Sequence, residues 1–328
     1  GSGTTGVSGA VSATNSLVGT TLSDQVGNGR EFGGFNNGVT ALNNGNYVVR
    51  SVHWDIPATL GPAVANVGAV TWGNGSTAGP RLVGEVSAAN SLVGTTANDR
   101  VGSGGEVTVG VGTYLSDAPG IAALSNGNYV VVSPIWNNPA VTGSAGLAVG
   151  AATWVNGTNG FAFGASSPGA TVSATNSLVG TSQNANVGAS GVTALIGNGN
   201  YVVGSPNWRN GAVSGAGAAT WGDGTTGIAG PVSGSNSLVG SLTFDNVGRY
   251  VTALANGNYV VSSPLWTNGV TNDAGAVTWV NGANGFAAGA ISAGAAVTAA
   301  NSLVGTSASD QVGQSNNLSG VVALSNGN

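Results

Sequence analysis

The sequence predicts an all-β protein made of tandem units, each with about four short strands. Three short words recur in a fixed order along the 328 residues. Asn-Ser-Leu-Val-Gly begins at Asn15, Asn90, Asn176, Asn236 and Asn301. Asn-Gly-Asn-Tyr-Val-Val follows, with its tyrosine at Tyr47, Tyr129, Tyr201 and Tyr259, and Thr-Trp comes third, ending at Trp72, Trp154, Trp221 and Trp279. Such an internal repeat indicates that one supersecondary unit is used several times.

The repeated words divide a single repeat domain, residues 1–328, into units. Starting each unit shortly before Asn-Ser-Leu-Val-Gly gives approximate boundaries at 10–85, 86–171, 172–231 and 232–296, with an incomplete fifth unit at 297–328. The fifth unit contains the first word and part of the hairpin word, but no Thr-Trp strand. We expect this open edge to pair with a neighbouring repeat or with another molecule.

An Asn-Gly pair between two β-prone runs predicts a β-hairpin in every complete unit. This pair is the strongest short-range hairpin signal, because both central residues of a type I′ turn need a positive φ. The predicted turn glycines are Gly45, Gly127, Gly199 and Gly257. No segment shows the 3.6-residue period of a helix, and the 59 glycines disfavour helices further.

The composition argues against several classes of function. Charged residues make up 5% of the chain, against about 25% in an average soluble protein, and the net charge is −5. Because no basic cluster is present, we do not expect nucleic acid or an anionic membrane as a partner. The absence of cysteine excludes disulfides and thiolate sites, and the sequence lacks the run of about 18 apolar residues that a transmembrane helix needs.

The order of the words resembles the FG-GAP repeat, the blade of integrin-α-type β-propellers. The resemblance rests on NSLVGTTANDRVG at Asn90–Gly102, an ALxNGNYVV hairpin, a Ser-Pro-x-Trp step and a Gly-Ala-x-Thr-Trp strand. It implies that each unit is a propeller blade, and an open β-solenoid-like array of the same units is the alternative. The wording is also similar to tandem repeats of bacterial filamentous-haemagglutinin-like exoproteins and adhesins. That similarity implies an extracellular or cell-surface location.

The calcium site of some FG-GAP blades is not expected in this chain. Its Asp-rich loop is replaced by Asn-Gly-Asn, so Asn44 and Asn46 supply no charge for an ion that usually takes carboxylate ligands. A single carboxylate precedes Val-Gly at Asp24, Asp99, Asp245 and Asp310, with Ala185 in the third unit. One carboxylate per unit predicts a turn cap rather than a metal cage, and we expect neither metal nor cofactor.

The eight tryptophans are the best candidates for a functional role. The structural core of the repeat is predicted to contain Trp72, Trp154, Trp221, Trp279, Tyr47, Tyr129, Tyr201 and Tyr259. A second set follows the hairpin and precedes a variable loop: Trp54, Trp136, Trp208 and Trp266. Packing between units is the favoured interpretation of this second set, and stacking on sugar rings, as in lectins, is the alternative.

No residue set predicts catalysis. His53 is the only histidine, and the eleven acidic residues form no recurrent pair. We therefore expect no catalytic residue and a non-enzymatic structural or adhesive repeat protein of a bacterial surface or secreted fibre. Its partners would be neighbouring repeats or further copies, joined through the incomplete terminal unit. A lectin-like propeller that binds a glycan through its repeated Trp and Asn residues is the alternative.

Overall fold

The computed structural model describes residues 8–29, 38–76, 82–109, 112–115, 119–141, 147–316 and 318–327. Within these ranges the protein is all-β, as the sequence predicts, with 25 short strands and one 3-10 turn at Ala58–Leu60. No α-helix occurs in the ranges that are described. The abundance of glycine and the lack of a helical period in the apolar residues therefore predict the all-β fold class correctly.

The strands are short, with two to five residues each. In the first half of the chain they are β1 (Leu17–Val18), β2 (Val39–Ala41), β3 (Tyr47–Ser51), β4 (Ala69–Gly73), β5 (Gly84–Glu85), β6 (Ser91–Val93), β7 (Glu106–Val109), β8 (Gly112–Leu115), β9 (Ile121–Ala123), β10 (Tyr129–Ser133), β11 (Ala151–Val155) and β12 (Ala170–Thr171). In the second half they are β13 (Leu178–Val179), β14 (Val192–Ala194), β15 (Tyr201–Ser205), β16 (Ala218–Gly222), β17 (Gly230–Pro231), β18 (Ser237–Val239), β19 (Tyr250–Ala253), β20 (Tyr259–Ser263), β21 (Ala276–Val280), β22 (Ala295–Ala296), β23 (Leu303–Val304), β24 (Gln314–Ser315) and β25 (Leu318–Ser319).

Four equivalent sheets contain most of these strands. Sheet 1 has the order β12-β6-β4-β3-β2, sheet 2 the order β17-β13-β11-β10-β9, sheet 3 the order β22-β18-β16-β15-β14, and sheet 4 the order β23-β21-β20-β19. Three smaller sheets, β1-β5, β7-β8 and β24-β25, have two strands each. The predicted tandem units of four strands are confirmed, and sheets 1 to 3 each gain a fifth strand of two residues.

Each sheet combines a hairpin, a Thr-Trp strand and the Asn-Ser-Leu-Val-Gly strand that comes next in the chain. In sheet 2 the tyrosine strand β10 pairs Val130 with Trp154 of β11, and β11 pairs Ala152 with Leu178 of β13, both antiparallel. A segment from still further along the chain, β17, then pairs parallel with β13. A sheet therefore contains strands that come later in the chain than the first strands of the next sheet.

The hairpins form where the sequence predicts them, but the predicted type I′ turn is wrong. In the first hairpin the backbone N–H of Leu42 donates to the carbonyl oxygen of Asn46 at 2.8 Å, which leaves a loop of three residues between them. Gly45 has a φ of +86°, whereas Asn44 is not among the residues with positive φ. A loop of three residues with glycine in the left-handed region is the bulged hairpin turn. Gly127, Gly199 and Gly257 also have positive φ.

The sheets pack in a row, and each main hydrophobic cluster spans two neighbouring sheets. One cluster joins sheets 1 and 2, the next joins sheets 2 and 3, and the third joins sheets 3 and 4. The first hairpin strands contact one another in the same succession, β2 with β9, β9 with β14 and β14 with β19. In the described part of the chain no hydrophobic cluster joins sheet 4 to sheet 1. The blade-like sheets therefore form an open array there.

Position in the row determines how deeply the repeated tyrosine is buried. Tyr129, Tyr201 and Tyr259 are only 2%, 1% and 1% exposed, because a preceding sheet covers each of them. Tyr47 belongs to the first sheet and is half-buried. Burial raises the pKa of all four phenols above the ordinary tyrosine value.

In sheets 1 to 3, the tryptophan of the Thr-Trp strand lies against a glycine of the next sheet. The contact pairs are Trp72 with Gly160, Trp154 with Gly227, and Trp221 with Gly285. A Cβ atom added to any of these glycines would lie only 2.7–2.9 Å from the Cβ atom of the tryptophan. The spacing between sheets therefore requires glycine at these positions.

Gly285→Ala is expected to destabilise the array more than Gly289→Ala, its matched control nearby in the chain. The φ values of the two glycines are +73° and +74°, so both substitutions introduce the same backbone strain. Only Gly285 touches a neighbouring sheet, because a Cβ atom on Gly289 would enter open space. We expect Gly285→Ala to lose about 1–3 kcal/mol more free energy of unfolding, measured with urea, through overpacking against Trp221. Equal losses would contradict the contact.

Candidate functional site

One glycine carbonyl oxygen is the centre of each joint between neighbouring sheets. At the joint of sheets 1 and 2, the carbonyl oxygen of Gly157 accepts three hydrogen bonds from sheet 1. The donors are Nδ2 of Asn44 at 2.9 Å, Nδ2 of Asn46 at 2.8 Å and the indole Nε1 of Trp72 at 2.8 Å. The hairpin word and the Thr-Trp word of one sheet thus meet at a single atom of the next sheet.

The same arrangement recurs at the next two joints. Gly224 accepts from Asn126, Asn128 and Trp154 at 2.7, 2.8 and 3.0 Å, and Gly282 accepts from Asn198, Asn200 and Trp221 at 3.2, 2.9 and 2.9 Å. We call the two asparagines and the tryptophan the donor triad, and the residue that receives their bonds the acceptor glycine. All three acceptor glycines are buried.

The second asparagine of each triad uses both ends of its amide. In sheet 1, Oδ1 of Asn46 accepts from the backbone N–H of Gly75 at 3.0 Å, while its Nδ2 donates to Gly157 of sheet 2. Oδ1 accepts in the same way in the other sheets, through Asn128, Asn200 and Asn258. An aspartate has no N–H to donate, so the joint requires an amide at the position where a calcium-binding loop would have carboxylates.

A buried aspartate adds a second link across a joint. In Asp99, Oδ2 accepts from the backbone N–H groups of Thr95 and Thr96 at 2.9 and 2.8 Å, and Oδ1 accepts from the N–H of Asn137 beyond β10 at 3.0 Å. The predicted turn cap is confirmed, and it also connects sheets 1 and 2. Asp24 and Asp245 repeat the pattern, and Asp310 caps its own turn.

The asparagine of Asn-Ser-Leu-Val-Gly closes the turn in front of its strand. Oδ1 of Asn90 accepts from the N–H of Ser87 at 2.9 Å and from Oγ of Ser91 at 2.8 Å, while Nδ2 donates to the carbonyl oxygen of Glu85 at 2.9 Å. Asn15, Asn176, Asn236 and Asn301 repeat these bonds. The first repeated word is therefore explained by local construction.

The second tryptophan set lies in the interior of the array. The exposed fractions of Trp54, Trp136, Trp208 and Trp266 are 1%, 0%, 3% and 4%. A ring that stacks on a sugar needs an accessible face, so this burial contradicts the ligand-stacking alternative and fits the packing interpretation. The indole nitrogen atoms of these four residues have no hydrogen-bond partner within the described residues.

Within the described residues, sheet 4 is covered at its hairpin end, where β25 contacts β19 and the carbonyl oxygen of Gly327 accepts from Nδ2 of Asn256 at 2.6 Å, but its Trp279 side is more open than in the other sheets. Its tryptophan, Trp279, is 41% exposed, compared with 6% for Trp154 of sheet 2. Leu303 of β23 is 75% exposed, whereas the equivalent Leu178 in sheet 2 is fully buried. Trp279 and Leu303 line, together with Val277, an open cleft of about 390 Å³ that is almost entirely apolar.

The described residues hold no cluster that is typical of metal binding. They contain no group of three or more His, Asp or Glu side chains placed to hold a metal ion. Nδ1 of His53 lies 3.3 Å from Oδ1 of Asn66, so the single histidine belongs to a local polar contact. None of the helical structure in the described ranges is long and apolar enough to cross a membrane.

The acceptor glycines were not identified from the sequence, although a signal for them exists. Each stands three residues after the tryptophan of a Thr-Trp strand, and Gly75 has the same place after Trp72. This constant spacing distinguishes the acceptor from the other glycines of the chain. The two asparagines around each hairpin glycine are the matching signal for its donors.

The joints and the open row of sheets define a class of protein, a tandem β-sheet repeat in which recurrent polar residues hold successive units together. A family model described as a repeat of unknown function (DUF5650) matches residues 1–28, 41–103, 123–189, 195–249 and 253–314. These segments cover most of the chain, and the protein belongs to this repeat family. No protein of curated function matches the sequence.

Each of the four longer family matches contains the tyrosine strand, the Thr-Trp strand and the Asn-Ser-Leu-Val-Gly strand of one sheet. The match at 41–103, for example, contains the turn of the first hairpin, the Thr-Trp strand β4 and the Asn-Ser-Leu-Val-Gly strand β6. It ends just after the turn that Asp99 caps. The family repeat therefore begins at the hairpin turn and ends after the Asn-Ser-Leu-Val-Gly strand of the same sheet, with most of the first hairpin strand before it.

Asn200→Asp is expected to lower the free energy of unfolding by about 2–4 kcal/mol at neutral pH. The buried carboxylate would still accept from the N–H of Gly224 but could not donate to the carbonyl oxygen of Gly282. Protonation restores a donor, so the loss should shrink as the pH falls and be smallest below the unfolded-state pKa of about 3.9. Urea unfolding at pH 7 and pH 3 measures both effects.

The matched control for this substitution is Asn138→Asp, which adds the same charge outside the donor triads. Oδ1 of Asn138 accepts from the N–H of Ala140, a role that a carboxylate keeps. We expect a loss below about 1 kcal/mol for this control. Similar losses for the two variants, or no recovery of Asn200→Asp in acid, would contradict the assigned donor role.

The buried aspartates give stability a pH dependence of defined sign. Burial raises the pKa of Asp99 and Asp245 and outweighs the lowering effect of their hydrogen bonds. A carboxyl group of this kind binds more protons in the folded state than in the unfolded state. Its contribution to stability is complete below the unfolded-state pKa of about 3.9, and it is lost as the pH rises through the folded-state pKa.

Urea unfolding of the wild type and of Asp99→Ala between pH 3 and pH 6 tests this sign. The variant copies the natural alanine at Ala185. We expect the difference in free energy of unfolding between the two proteins to be largest at pH 3 and to decrease as the pH rises. A difference that increases with pH would contradict the raised pKa.

Proposed function

We propose that the protein is a non-enzymatic structural repeat protein, a spacer on a bacterial surface or in a secreted fibre, whose exposed loops provide adhesion. The recurrence of one joint, the acceptor glycine with its donor triad, supports this proposal most directly. The repeated Asn, Asp and Trp side chains hold the sheets together rather than converge on a pocket. A row of sheets joined in this way extends a surface over distance, as a stalk or fibre requires.

An extracellular location is supported by the surface chemistry and by the resemblance of the repeats. Charged residues make up 5% of the chain and cysteine is absent, so solubility depends on Asn, Ser, Thr and exposed backbone. The likeness of the words to FG-GAP blades and to repeats of bacterial exoproteins supports the same location. The four candidate stacking tryptophans do not support the lectin-like alternative, because all of them are buried.

Antibody labelling of the cells that produce the protein tests its location. We expect labelling of intact cells, or of material that they shed, to equal the labelling after permeabilisation, with a cytoplasmic protein detected only after permeabilisation as the control. Protease treatment of intact cells should remove the signal. Labelling that requires permeabilisation would contradict the proposed extracellular role.

A further inference from the structure

The hairpin of sheet 3 differs from the other three hairpins by one residue. The backbone N–H of Leu195 donates to the carbonyl oxygen of Asn200 at 2.8 Å, which leaves a loop of four residues, 196–199. The equivalent bonds of the other hairpins close loops of three residues, and Ile196 and Gly197 occupy the place of a single residue in them. Sheet 3 therefore meets sheet 4 through a turn that differs from those of the other joints.

The longer loop changes the hydrogen bonding of the turn glycine. In the other hairpins the N–H of this glycine donates to the carbonyl oxygen of the leucine before the loop, at 3.1 Å for Gly45, 3.1 Å for Gly127 and 3.0 Å for Gly257. No acceptor for the N–H of Gly199 lies within the described residues. The nitrogen of Gly199 can therefore move without breaking a backbone hydrogen bond of its own.

The asparagine before this glycine is held less closely than its equivalent in sheet 2. Nδ2 of Asn198 divides its donation between the carbonyl oxygens of Gly257 and Gly282, both at 3.2 Å. Nδ2 of Asn126 makes one bond of 2.7 Å, to Gly224. Asn198 is also exposed, so water reaches its side chain.

The remaining contact of Asn198 favours attack on its side-chain carbon. Oδ1 accepts from the N–H of Asn200 at 3.0 Å, and a donor at this oxygen stabilises the negative charge that develops when a nucleophile adds to Cγ. The nitrogen of Gly199 is the neighbouring nucleophile, and glycine has no side chain to obstruct it. Asn126 has the same contact at 3.1 Å, so the two sites differ in the glycine nitrogen and in the bonds of Nδ2.

We propose that Asn198 is a site of spontaneous deamidation, which weakens the joint between sheets 3 and 4. The nitrogen of Gly199 bonds to Cγ of Asn198, the bond between Cγ and Nδ2 breaks, and ammonia leaves with the proton that the nitrogen gives up. Water then opens the cyclic imide at one of its carbonyl groups, which gives aspartate or isoaspartate. Water is the co-reactant, and no catalytic side chain takes part. This inference is independent of the proposed location and role of the protein.

The product lacks a donor that the joint uses. A carboxylate at position 198 cannot donate to the carbonyl oxygen of Gly282, and it places a negative charge near that oxygen. Isoaspartate also adds a methylene group to the backbone of the hairpin. Asn200 and Trp221 are the remaining donors of that triad. Deamidation therefore weakens one joint as the protein ages, before the joints of sheets 1 and 2 are affected.

Peptide mapping by mass spectrometry of the folded protein, incubated at neutral pH, tests this proposal. Asn126 is the matched control in the same molecule, because both asparagines precede Gly-Asn-Tyr-Val-Val. We expect Asn198 to convert to aspartate and isoaspartate at least about fivefold faster, since the bond from Gly127 to Leu124 must first break at the control site. In urea the two rates should become similar.

Deletion of Gly197 tests the role of the longer loop. The variant has a loop of the same length as the other hairpins, so the N–H of Gly199 should regain the carbonyl oxygen of Leu195 as its acceptor. We expect conversion at Asn198 to slow to the rate at Asn126. Circular dichroism must show that the variant folds, and the comparison within the wild type decides the question if it does not.

Three outcomes would overturn the proposed site: equal rates at Asn198 and Asn126 in the folded protein, a difference that persists in urea, or an unchanged rate in a folded variant without Gly197. The effect on the joint has its own measurement. Anion exchange separates the deamidated protein by its added negative charge, and urea unfolding should show a lower midpoint than that of fresh protein. An unchanged midpoint would overturn the weakening of the joint.

Discussion

The carbonyl oxygen of the acceptor glycine, shared by two asparagine amides and one indole, is the interaction on which the array depends. It lies between sheets, where a buried polar group without a partner costs about 1–3 kcal/mol. The carbonyl group and its donors therefore fix one another's positions. This requirement explains why the hairpin word contains Asn on both sides of Gly, and why Trp ends the strand beside it. It also explains why the next sheet carries a glycine at the contact.

The joints consist mainly of neutral groups. Amide, indole and backbone groups make the central bonds, and aliphatic side chains fill the clusters on either side. Salt screens exposed charges but has little effect on buried neutral hydrogen bonds, so the cohesion of the array is largely independent of ionic strength. A chain with 5% charged residues can therefore keep its sheets together in media of very different salt content.

Much of the fold could be predicted because the repeated words encode local structure. The hairpins at Gly45 and its equivalents and the turn caps at Asp99 and Asp245 depend on residues close in the sequence. The turn type was mistaken because Asn44 keeps an ordinary φ while its side chain crosses the joint. The burial of Trp136 depends on which sheet lies opposite, and a repeat period contains no such information. Arg50 is buried and donates a hydrogen bond to the carbonyl oxygen of Gly102. The other repeats have an uncharged residue at this position, so the repeat pattern does not predict this contact.

The stagger between chain order and sheet membership has a consequence for how the molecule comes apart. Sheet 2 needs β13, which follows its own Thr-Trp strand, and β17, which lies beyond the hairpin and Thr-Trp strand of sheet 3. A break in one repeat therefore removes strands from the sheet before it as well as from its own. Neighbouring sheets are coupled covalently in this way, in addition to their packing, so an interior sheet cannot open alone. The stability of each sheet therefore depends on that of its neighbours along the chain, beyond what their packing alone would give.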